Sequence, residues 1–213
     1  MLKRGFDLLV ALVGLCLLSP LVLVAGALIK LDTPGPVFYR GDRIGKDGVP
    51  FKMLKFRTMV VNADRVGSAL THRGDPRVTR VGRRLRDWKL DEIPQLVNVL
   101  RGEMSLVGPR PEAPGYVAHY TPEQRRVLSV RPGITGPTQI RYRHEETLLS
   151  QYADREAAYI NVVMPQKLAI DLEYVEHHTF PGDLLLIAQT VLAVFSPDRS
   201  AETVTEVSKT PTL

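Results

Sequence analysis

The chain has 213 residues with a net charge of +5, and this length fits one domain with a substantial core. The excess of lysine and arginine favours phosphate-bearing partners or an anionic membrane surface. The single cysteine excludes an internal disulfide framework, and the five histidines show no metal-ligand spacing. Nucleic acid is a weaker candidate partner, because neither zinc-finger spacing nor an RNP-like aromatic motif occurs.

Residues 5–29 form an apolar stretch with a predicted break at Ser19 and Pro20. The stretch could be a signal peptide, with Lys3 and Arg4 as its basic start, or a membrane-spanning helix of adequate length. It could also be a re-entrant helix–break–helix, because proline removes a helical hydrogen bond and favours a kink. Basic residues flank both ends, and the positive-inside rule disfavours moving either end across a membrane.

A β-hairpin is predicted after the apolar stretch. Residues 37–40 and 43–45 are typical of strand, and the Lys-Asp-Gly sequence at 46–48 is a strong turn signal. Residues 51–57 then resume a mixed apolar and basic strand pattern. Lysines in such a strand are usual at a solvated edge, where they oppose aggregation.

A basic segment precedes the most informative motif. Its arginines are Arg73, Arg77, Arg80, Arg83, Arg84 and Arg86. Such a run is most often a solvated face, but its position before two carboxylates indicates that some of these side chains contact phosphate. The spacing of Arg80, Arg83 and Arg86 places them on roughly one helical face.

The adjacent carboxylates Asp91 and Glu92 lie at the predicted start of a helix. The helical period is carried by Ile93, Leu96, Val97 and Leu100. Pro94 is tolerable only in the first turn, where its missing N–H had no partner, and Gly102 is a plausible stop. The positive helix end and the nearby arginines keep both carboxylates ionised, although two such residues could simply be helix caps.

Residues 105–111 (Ser-Leu-Val-Gly-Pro-Arg-Pro) place Arg110 between two prolines that stiffen its backbone in an extended form. The number of arginines in this region exceeds what one helix cap can use. Carboxylates and guanidinium groups that converge on one place predict a site for phosphate together with a divalent metal ion.

Residues 90–95 (Leu-Asp-Glu-Ile-Pro-Gln) and 98–111 strongly resemble the bacterial sugar transferases called monotopic phosphoglycosyl transferases, in their small single-domain form. The resemblance extends over about residues 3–195. It implies an α+β, mostly helical fold with a β-hairpin and a cytosolic globular domain with interface helices. Together with the basic flanks and the proline, it favours the re-entrant interpretation of the N-terminal stretch.

The same resemblance implies a domain organisation. Residues 1–30 are expected to form the re-entrant membrane helix, and residues 31–195 the catalytic domain. Residues 196–213 are polar and without periodicity, so they are expected to form a disordered tail. The protein would lie in the bacterial inner membrane with its catalytic domain in the cytoplasm.

The resembled family transfers a sugar-1-phosphate from a UDP-sugar to polyprenol phosphate and releases UMP, using an Asp-Glu dyad and Mg²⁺. This implies Asp91 as the nucleophile that forms a covalent phospho-sugar intermediate, with Glu92 as metal ligand or proton acceptor. Both carboxylates are candidate Mg²⁺ ligands. The product would initiate synthesis of a capsule, exopolysaccharide, O-antigen or glycoprotein. The expected partners are UDP-sugar, polyprenol phosphate and membrane, without nucleic acid, and a homodimer is left open.

Other functions stay open from the residues alone. Polyprenol phosphate could attack directly in a ternary complex, with the dyad only holding Mg²⁺. The protein could instead be a membrane-anchored nucleotide-binding regulator without turnover. It could also be a secreted lipid- or nucleic-acid-binding protein, if its N-terminus is a signal peptide.

Basic residues supply the candidate contacts to substrate phosphates. They are Lys55, Arg57, Arg86, Arg110, Arg141 and Arg143. The chain departs from the family pattern at Trp88 and Lys89, where a small polar residue usually precedes the leucine of the dyad motif. It departs again at Pro137, in place of a tryptophan, and at 140–143.

Two helices are predicted near the end of the chain. The first covers 165–177, with Asp171 away from its apolar face, either at a position that matches the family or simply as a solvated carboxylate. Asp183 is predicted to cap the second, 184–195, which is apolar almost all round but too short to span a bilayer. This last helix therefore belongs to the core or to a membrane interface.

Overall fold

The computed structural model describes residues 2–63, 70–72 and 74–195, and these form an α+β fold dominated by helices, as predicted. The helices are α1 (Leu2–Asp32), α2 (Arg80–Asp87), α3 (Gln95–Arg101), α4 (Pro114–Val117), α5 (Pro137–Arg141), α6 (Glu145–Leu149), α7 (Arg155–Ala158), α8 (Met164–His177) and α9 (Phe180–Phe195). The strands are β1 (Phe38–Ile44), β2 (Pro50–Phe56), β3 (Ser105–Val107) and β4 (Gly133–Thr135). Short 3-10 segments cover Lys46–Gly48, Leu90–Glu92 and Gln124–Ser129, and a π-helical turn covers Tyr159–Val163. The predicted tail at 196–213 lies outside the described residues.

Helix α1 runs for 31 residues without interruption through Ser19 and Pro20. Helical structure is therefore not interrupted at this pair, and the local hydrogen bonding gives the reason, whereas the expected kink at Pro20 stays a prediction. Pro20 has no N–H to donate to the Cys16 carbonyl one turn earlier, but the Ser19 hydroxyl donates to that oxygen at 2.8 Å. The hydroxyl replaces the donor that proline lacks, so the helix continues.

The first turns of α1 are fastened to the globular part of the molecule by polar contacts. The Lys3 Nζ lies 2.5 Å from the Asp183 carboxylate on α9. Asp7 is buried and accepts a hydrogen bond of 2.8 Å from the hydroxyl of Ser105 on β3. Both bonds satisfy groups that would otherwise be costly to bury. The start of α1 is thus held against β3 and α9.

The last turns of α1 are fastened to the same globular part. The Asp32 carboxylate accepts a hydrogen bond of 3.0 Å from the backbone amide of Val81, near the start of α2. An apolar cluster behind this bond contains Ala25, Ile29, Phe56 and Leu85. Within the described ranges, α1 is the one helix long and apolar enough to cross a membrane. Its two ends nevertheless contact one body.

The predicted hairpin is confirmed. Strands β1 and β2 pair antiparallel, with Phe38 opposite Phe56 at the open end. Asp47 and Gly48 both adopt positive φ angles, of 57° and 77°, in the turn that the Lys-Asp-Gly sequence predicted. The hairpin carries the end of β2 toward the start of α3.

The carboxylate pair lies on the 3-10 segment Leu90–Glu92, one turn before α3, and not in the first turn of α3 as predicted. Pro94 directly precedes α3 with a φ of −61°, which suits a helix start. Because proline has no N–H, it cannot donate the hydrogen bond that an α-helix starting earlier would need at this position. Gly102 ends α3 with a φ of 83°, as predicted from the sequence.

Strands β3 and β4 pair in parallel and fix the chain that follows β3. The Gly108 amide donates to the Thr135 carbonyl at 2.9 Å, and the Gly133 amide donates to the Pro109 carbonyl at 2.9 Å. A Cβ atom on Gly133 would lie 2.1 Å from the Gly108 nitrogen, so only glycine permits this approach. The backbone just before Arg110 is therefore closely constrained.

The two predicted C-terminal helices correspond to α8 and α9, but Asp183 is not the cap of α9. It lies inside the first turn, where its carboxylate accepts a hydrogen bond of 2.7 Å from the Tyr174 hydroxyl. The Thr179 hydroxyl instead accepts from the Gly182 amide at 3.2 Å. The sequence signal was ambiguous because threonine and aspartate both favour the cap position.

Candidate active site

Lys55, at the end of β2, faces both carboxylates of the pair. Its Nζ lies 2.7 Å from the Glu92 carboxylate and 3.9 Å from that of Asp91. The Lys55 side chain is only 18% exposed, so these ion pairs are shielded from water. The hairpin thus brings a cation to the dyad from one side, as the resemblance implied for Lys55.

The position of Lys55 depends on Asn98 of α3, which the sequence analysis did not single out. The Asn98 side chain accepts a hydrogen bond of 2.9 Å from the Leu54 amide and donates one of 2.8 Å to the Lys52 carbonyl. Asn98 is fully buried, and its amide donates also to Glu103 at 2.6 Å. It therefore joins β2 to the helix that follows the dyad.

Arg110 approaches the same carboxylate from the opposite part of the chain. Its guanidinium lies 3.0 Å from Oε1 of Glu92, the oxygen that Lys55 also contacts. The side chain of Arg110 is 33% exposed, so part of the guanidinium faces the solvent side of the site. Arg110, Lys55 and the dyad therefore lie together, in an arrangement of charged donors that suits an anion.

The pKa values of the two carboxylates shift in opposite directions. Burial alone would raise the pKa of Glu92, but Lys55 and Arg110 outweigh it and hold that pKa far below its usual range. Burial raises the pKa of Asp91 above its usual value, although Lys55 opposes this. Glu92 is therefore a permanent anion, whereas Asp91 is the more basic carboxylate.

A network of charged residues around the buried Lys167 lies behind the segment that carries Arg110. The Lys167 Nζ lies 2.7 Å from Glu145 and 3.4 Å from Glu112, and the Tyr159 hydroxyl also bonds Glu112. Burial would lower the pKa of Lys167, but the two glutamates outweigh it and raise that pKa, so the lysine stays charged. This network fixes Glu112, two residues after Arg110.

Asp171 of α8 adds a further contact to the Arg110 segment. Its carboxylate accepts a hydrogen bond of 2.9 Å from the Thr138 hydroxyl and another from the Arg110 backbone amide. Burial raises the pKa of Asp171 to about 7, against these two hydrogen bonds. Asp171 is not a solvated carboxylate, because the structure buries it behind the site.

Comparison with known proteins now identifies the family. A model of the bacterial sugar transferases matches residues 1–197. The chain belongs to the bacterial sugar transferase family. The family predicted from the Leu-Asp-Glu-Ile-Pro-Gln motif is thereby confirmed.

Curated relatives of this sugar transferase carry specific names. UDP-glucose:undecaprenyl-phosphate glucose-1-phosphate transferase of Caulobacter vibrioides is 40% identical over 201 residues, which cover 93% of this chain and 71% of that protein. Exopolysaccharide production protein ExoY of Rhizobium meliloti is 40% identical over 209 residues, covering 91% of this chain and 85% of that protein. The N-acetylgalactosaminephosphotransferase of Aeromonas hydrophila, whose named acceptor is undecaprenyl phosphate, is 36% identical over 92% of this chain but only 44% of its own length.

The transferase uses Arg57 differently from the sequence expectation. The guanidinium of Arg57 is buried and donates to the Thr33 carbonyl at 2.7 Å, the Thr33 hydroxyl at 3.0 Å and the Pro34 carbonyl at 2.5 Å. A further contact of 3.5 Å reaches the Ile29 carbonyl. These acceptors lie at the end of α1, so the geometry favours a structural role for Arg57 over phosphate binding.

The other predicted arginines of the transferase divide by position. Arg86 donates to the Thr58 hydroxyl at 2.9 Å, and its charge lowers the pKa of Asp91, so it belongs to the surroundings of the dyad. Arg143 donates to the Ala193 carbonyl of α9, which directs its guanidinium toward that helix. Arg141 is exposed at the end of α5, and its proposed contact to substrate stays a prediction.

The residues at the dyad fit a magnesium ion by the chemistry of their donors. Mg²⁺ in proteins usually takes one or two carboxylates, with substrate phosphates and water completing its shell. Within the described residues, no group of three or more metal-ligating side chains occurs, so an ion at this pair would need further ligands from substrate and water. Asp91 and Glu92 would hold the ion together with a diphosphate.

Proposed function

We propose that this enzyme transfers a sugar-1-phosphate from a UDP-sugar to polyprenol phosphate and releases UMP, initiating exopolysaccharide or related glycoconjugate synthesis. The observation that carries the proposal is the pair of buried Asp91 and half-buried Glu92, with Lys55 and Arg110 converging on Glu92. The names of the Caulobacter and Aeromonas relatives support the UDP-sugar donor and the undecaprenyl-phosphate acceptor. The ExoY relative supports an exopolysaccharide pathway.

In the first half-reaction, an oxygen of Asp91 attacks the phosphorus that carries the sugar. The P–O bond to UMP breaks, UMP leaves with that oxygen, and the sugar phosphate is held as an acyl phosphate on Asp91. Asp91 suits this role because its raised pKa makes it the more basic carboxylate of the pair. Arg110 and Lys55 would offset the charge of the diphosphate and stabilise charge that develops in the transition state.

In the second half-reaction, a phosphate oxygen of the polyprenol phosphate attacks the same phosphorus. The bond to Asp91 breaks, and the carboxylate is regenerated as the polyprenyl diphosphate sugar departs. Glu92 stays ionised throughout because of its two cationic neighbours, so it holds Lys55 and Arg110 in place. Mg²⁺ bound at the pair would act as a Lewis acid on the diphosphate.

The fastening of α1 supports a monotopic arrangement at the inner membrane. A helix that crossed a hydrocarbon core of about 30 Å would place its ends on opposite sides. In this protein Lys3 bonds α9 and Asp32 bonds α2, so both ends of α1 are tied to one globular body. We therefore infer that α1 enters the bilayer from the cytoplasmic side without crossing it.

Labelling tests this arrangement directly. Single cysteines in place of Leu2 and Leu31, which are 72% and 84% exposed, are compared in a Cys16→Ser background. Both should react with a membrane-impermeant thiol reagent only when the cytoplasmic side is accessible. Reaction from opposite sides would show a spanning helix.

A donor screen tests the activity. The purified protein in lipid vesicles with polyprenol phosphate is given single UDP-sugars, and UMP release is measured. At least one donor should support release, and chelation should stop it until Mg²⁺ is restored. Tight binding of a UDP-sugar without UMP release from any donor would favour the nucleotide-binding regulator instead.

A further inference from the structure

The outer face of α2 carries exposed positive charge that the proposed reaction does not use. Arg80, Arg83 and Arg84 are exposed, and their guanidinium groups make no ion pair or hydrogen bond with the residues that the structure describes. Together with Asp87 they line a shallow surface groove. The face keeps a net positive charge, since one carboxylate stands against three guanidinium groups.

The opposite face of α2 is packed tightly, which fixes the direction of the arginines. Leu85 is buried, and a Cβ on Gly82 would lie 2.1 Å from the Thr58 carbonyl oxygen. The Thr79 hydroxyl accepts a hydrogen bond of 2.9 Å from the Gly82 amide and caps the helix. The helix therefore cannot rotate to turn its arginines inward, and Arg86 alone points toward Thr58 near the dyad.

Helix α2 is also fixed beside the end of the apolar helix. The Val81 amide bonds Asp32, the last residue of α1, at 3.0 Å. Leu31, one residue earlier, is 84% exposed. The start of α2, where Arg80 lies, is therefore next to the point where an exposed apolar surface ends, the level at which lipid headgroups would lie.

Trp88 follows α2 directly and is 57% exposed. Tryptophan is enriched at membrane–water interfaces, because its ring is apolar and its N–H can still meet polar groups. Trp88 follows Arg84 by four residues, which places its ring one helical turn along from that arginine. The apolar ring, the positive charge and the neighbouring apolar helix are all features of a surface that contacts a membrane.

We propose that Arg80, Arg83, Arg84 and Trp88, here called the α2 patch, bind the headgroups of anionic phospholipids beside the end of α1. The proposal rests on the membrane placement of α1 proposed above. Basic side chains near an anionic lipid surface each strengthen attraction by about fivefold, and salt weakens it. The patch would hold the dyad at a fixed height and orientation above the bilayer.

The test uses Trp88 as its own reporter, because it is the one tryptophan in the sequence. The full chain is placed in vesicles of phosphatidylcholine alone or with phosphatidylglycerol added, and quenching by acrylamide is measured. Phosphatidylglycerol should reduce the quenching constant by about twofold, and high salt should remove the difference. Inorganic phosphate added to phosphatidylcholine vesicles should give no protection, which distinguishes lipid headgroups from free phosphate.

The variant R83Q/R84Q should abolish the protection by phosphatidylglycerol. The matched control R125Q/R155Q removes two exposed arginines elsewhere and should keep it. UMP release in phosphatidylcholine vesicles should be the same for R83Q/R84Q and the unmodified protein, which shows that the variant is folded.

Three results would overturn the α2 patch: equal quenching in both vesicle types, protection that survives in R83Q/R84Q, or protection in neutral vesicles that appears only with UDP-sugar. The last result would show that Trp88 is shielded by bound UDP-sugar and not by lipid headgroups. Protection by phosphatidylglycerol in protein that releases no UMP would support the patch and count against the proposed reaction instead.

Discussion

Lys55 and Arg57 are two residues apart at the end of β2, yet they serve two different regions of the molecule. Lys55 reaches the carboxylate of Glu92 at 2.7 Å in the active site. Arg57 reaches backbone carbonyls of Thr33 and Pro34 at the end of α1. The active site therefore pairs a cation with a carboxylate, whereas the region after α1 pairs a cation with backbone carbonyls.

The difference shows how the surroundings decide what a basic residue does. At the dyad, two cations share one oxygen of Glu92, and Arg110 keeps a third of its side chain exposed. That arrangement leaves donors available for a phosphate. Just after α1, Arg57 is 6% exposed, and its guanidinium donates to the Thr33 and Pro34 carbonyls. The first region can bind a ligand, and the second anchors the membrane helix.

Arg110→Ala should separate the two regions most sharply. Loss of a charge-assisted contact to phosphate costs about 1.5–3 kcal/mol, so turnover should fall by roughly 10- to 150-fold. Thermal stability should change little, because Lys55 still pairs with Glu92. The measurement is the rate of UMP release beside a melting curve of the same sample.

The matched control for this change is Arg126→Ala. Arg126 is also an arginine paired with a glutamate, Glu176, at 2.6 Å, but 56% of its side chain is exposed and it lies on the segment Gln124–Ser129. Its loss should leave turnover nearly unchanged, since exposed ion pairs contribute little. Equal losses of turnover in both variants would contradict a phosphate contact specific to Arg110.

Arg57→Met should produce the opposite pattern. Removing the guanidinium deletes the charge-assisted hydrogen bonds to the Thr33 and Pro34 carbonyls, at a cost of about 1–3 kcal/mol in the free energy of unfolding. Turnover per folded molecule should fall less than in Arg110→Ala, because Arg57 does not face the dyad. Thermal unfolding and UMP release report the two effects separately. A large loss of turnover with unchanged stability would restore the sequence prediction that Arg57 binds phosphate.

The pH dependence of UMP release should also distinguish the active site from the Arg57 region, with a smaller effect than either substitution. Burial raises the pKa of Asp91 above its usual 3.8, and the nucleophile must be ionised. UMP release in the first half-reaction should therefore fall as pH drops through this raised pKa, by up to about tenfold per pH unit. The lowered pKa of Glu92 adds no step in this range, and the Arg57 contacts should not follow the profile, since guanidinium stays charged. A rate that stays constant down to the ordinary aspartate range would contradict the burial argument.

Local patterns in the sequence predicted the parts of the fold that depend on local rules. The Lys-Asp-Gly turn, the stop at Gly102 and the last two helices follow from turn chemistry and helical period, and all are present. The approach of Arg110 to the dyad was predicted from the pattern of carboxylates and arginines, and that of Lys55 from the family resemblance. At Ser19 and Pro20 helical structure continues because one hydroxyl contact compensates for the proline, and the kink expected there stays a prediction.

Contacts between distant parts of the chain could not be predicted. Asn98 joins β2 to α3 across 44 residues, and nothing in its neighbourhood in the sequence marks it as a hydrogen-bonding link. Lys167 meets Glu112 across 55 residues, so its burial depends on packing that periodicity does not reveal. The role of Arg57 likewise became visible only once the end of α1 was placed beside it.

The central claim is that Asp91 forms a covalent bond to the sugar phosphate, and its most direct measurement is the first half-reaction without acceptor. Purified protein is mixed with an active UDP-sugar and no polyprenol phosphate. UMP should be released in a burst of at most about one per active site, and the protein should gain the mass of the phospho-sugar at Asp91.

Asp91→Asn should abolish both the burst and the added mass, whereas Glu92→Gln should retain part of the labelling. Mass spectrometry of the intact and digested protein locates the adduct, with Arg126→Ala as a fully labelled control. A burst with the adduct on Asp91 is the predicted result. Active protein that shows neither burst nor adduct, and releases UMP only when polyprenol phosphate is present, would contradict the claim and establish direct attack in a ternary complex.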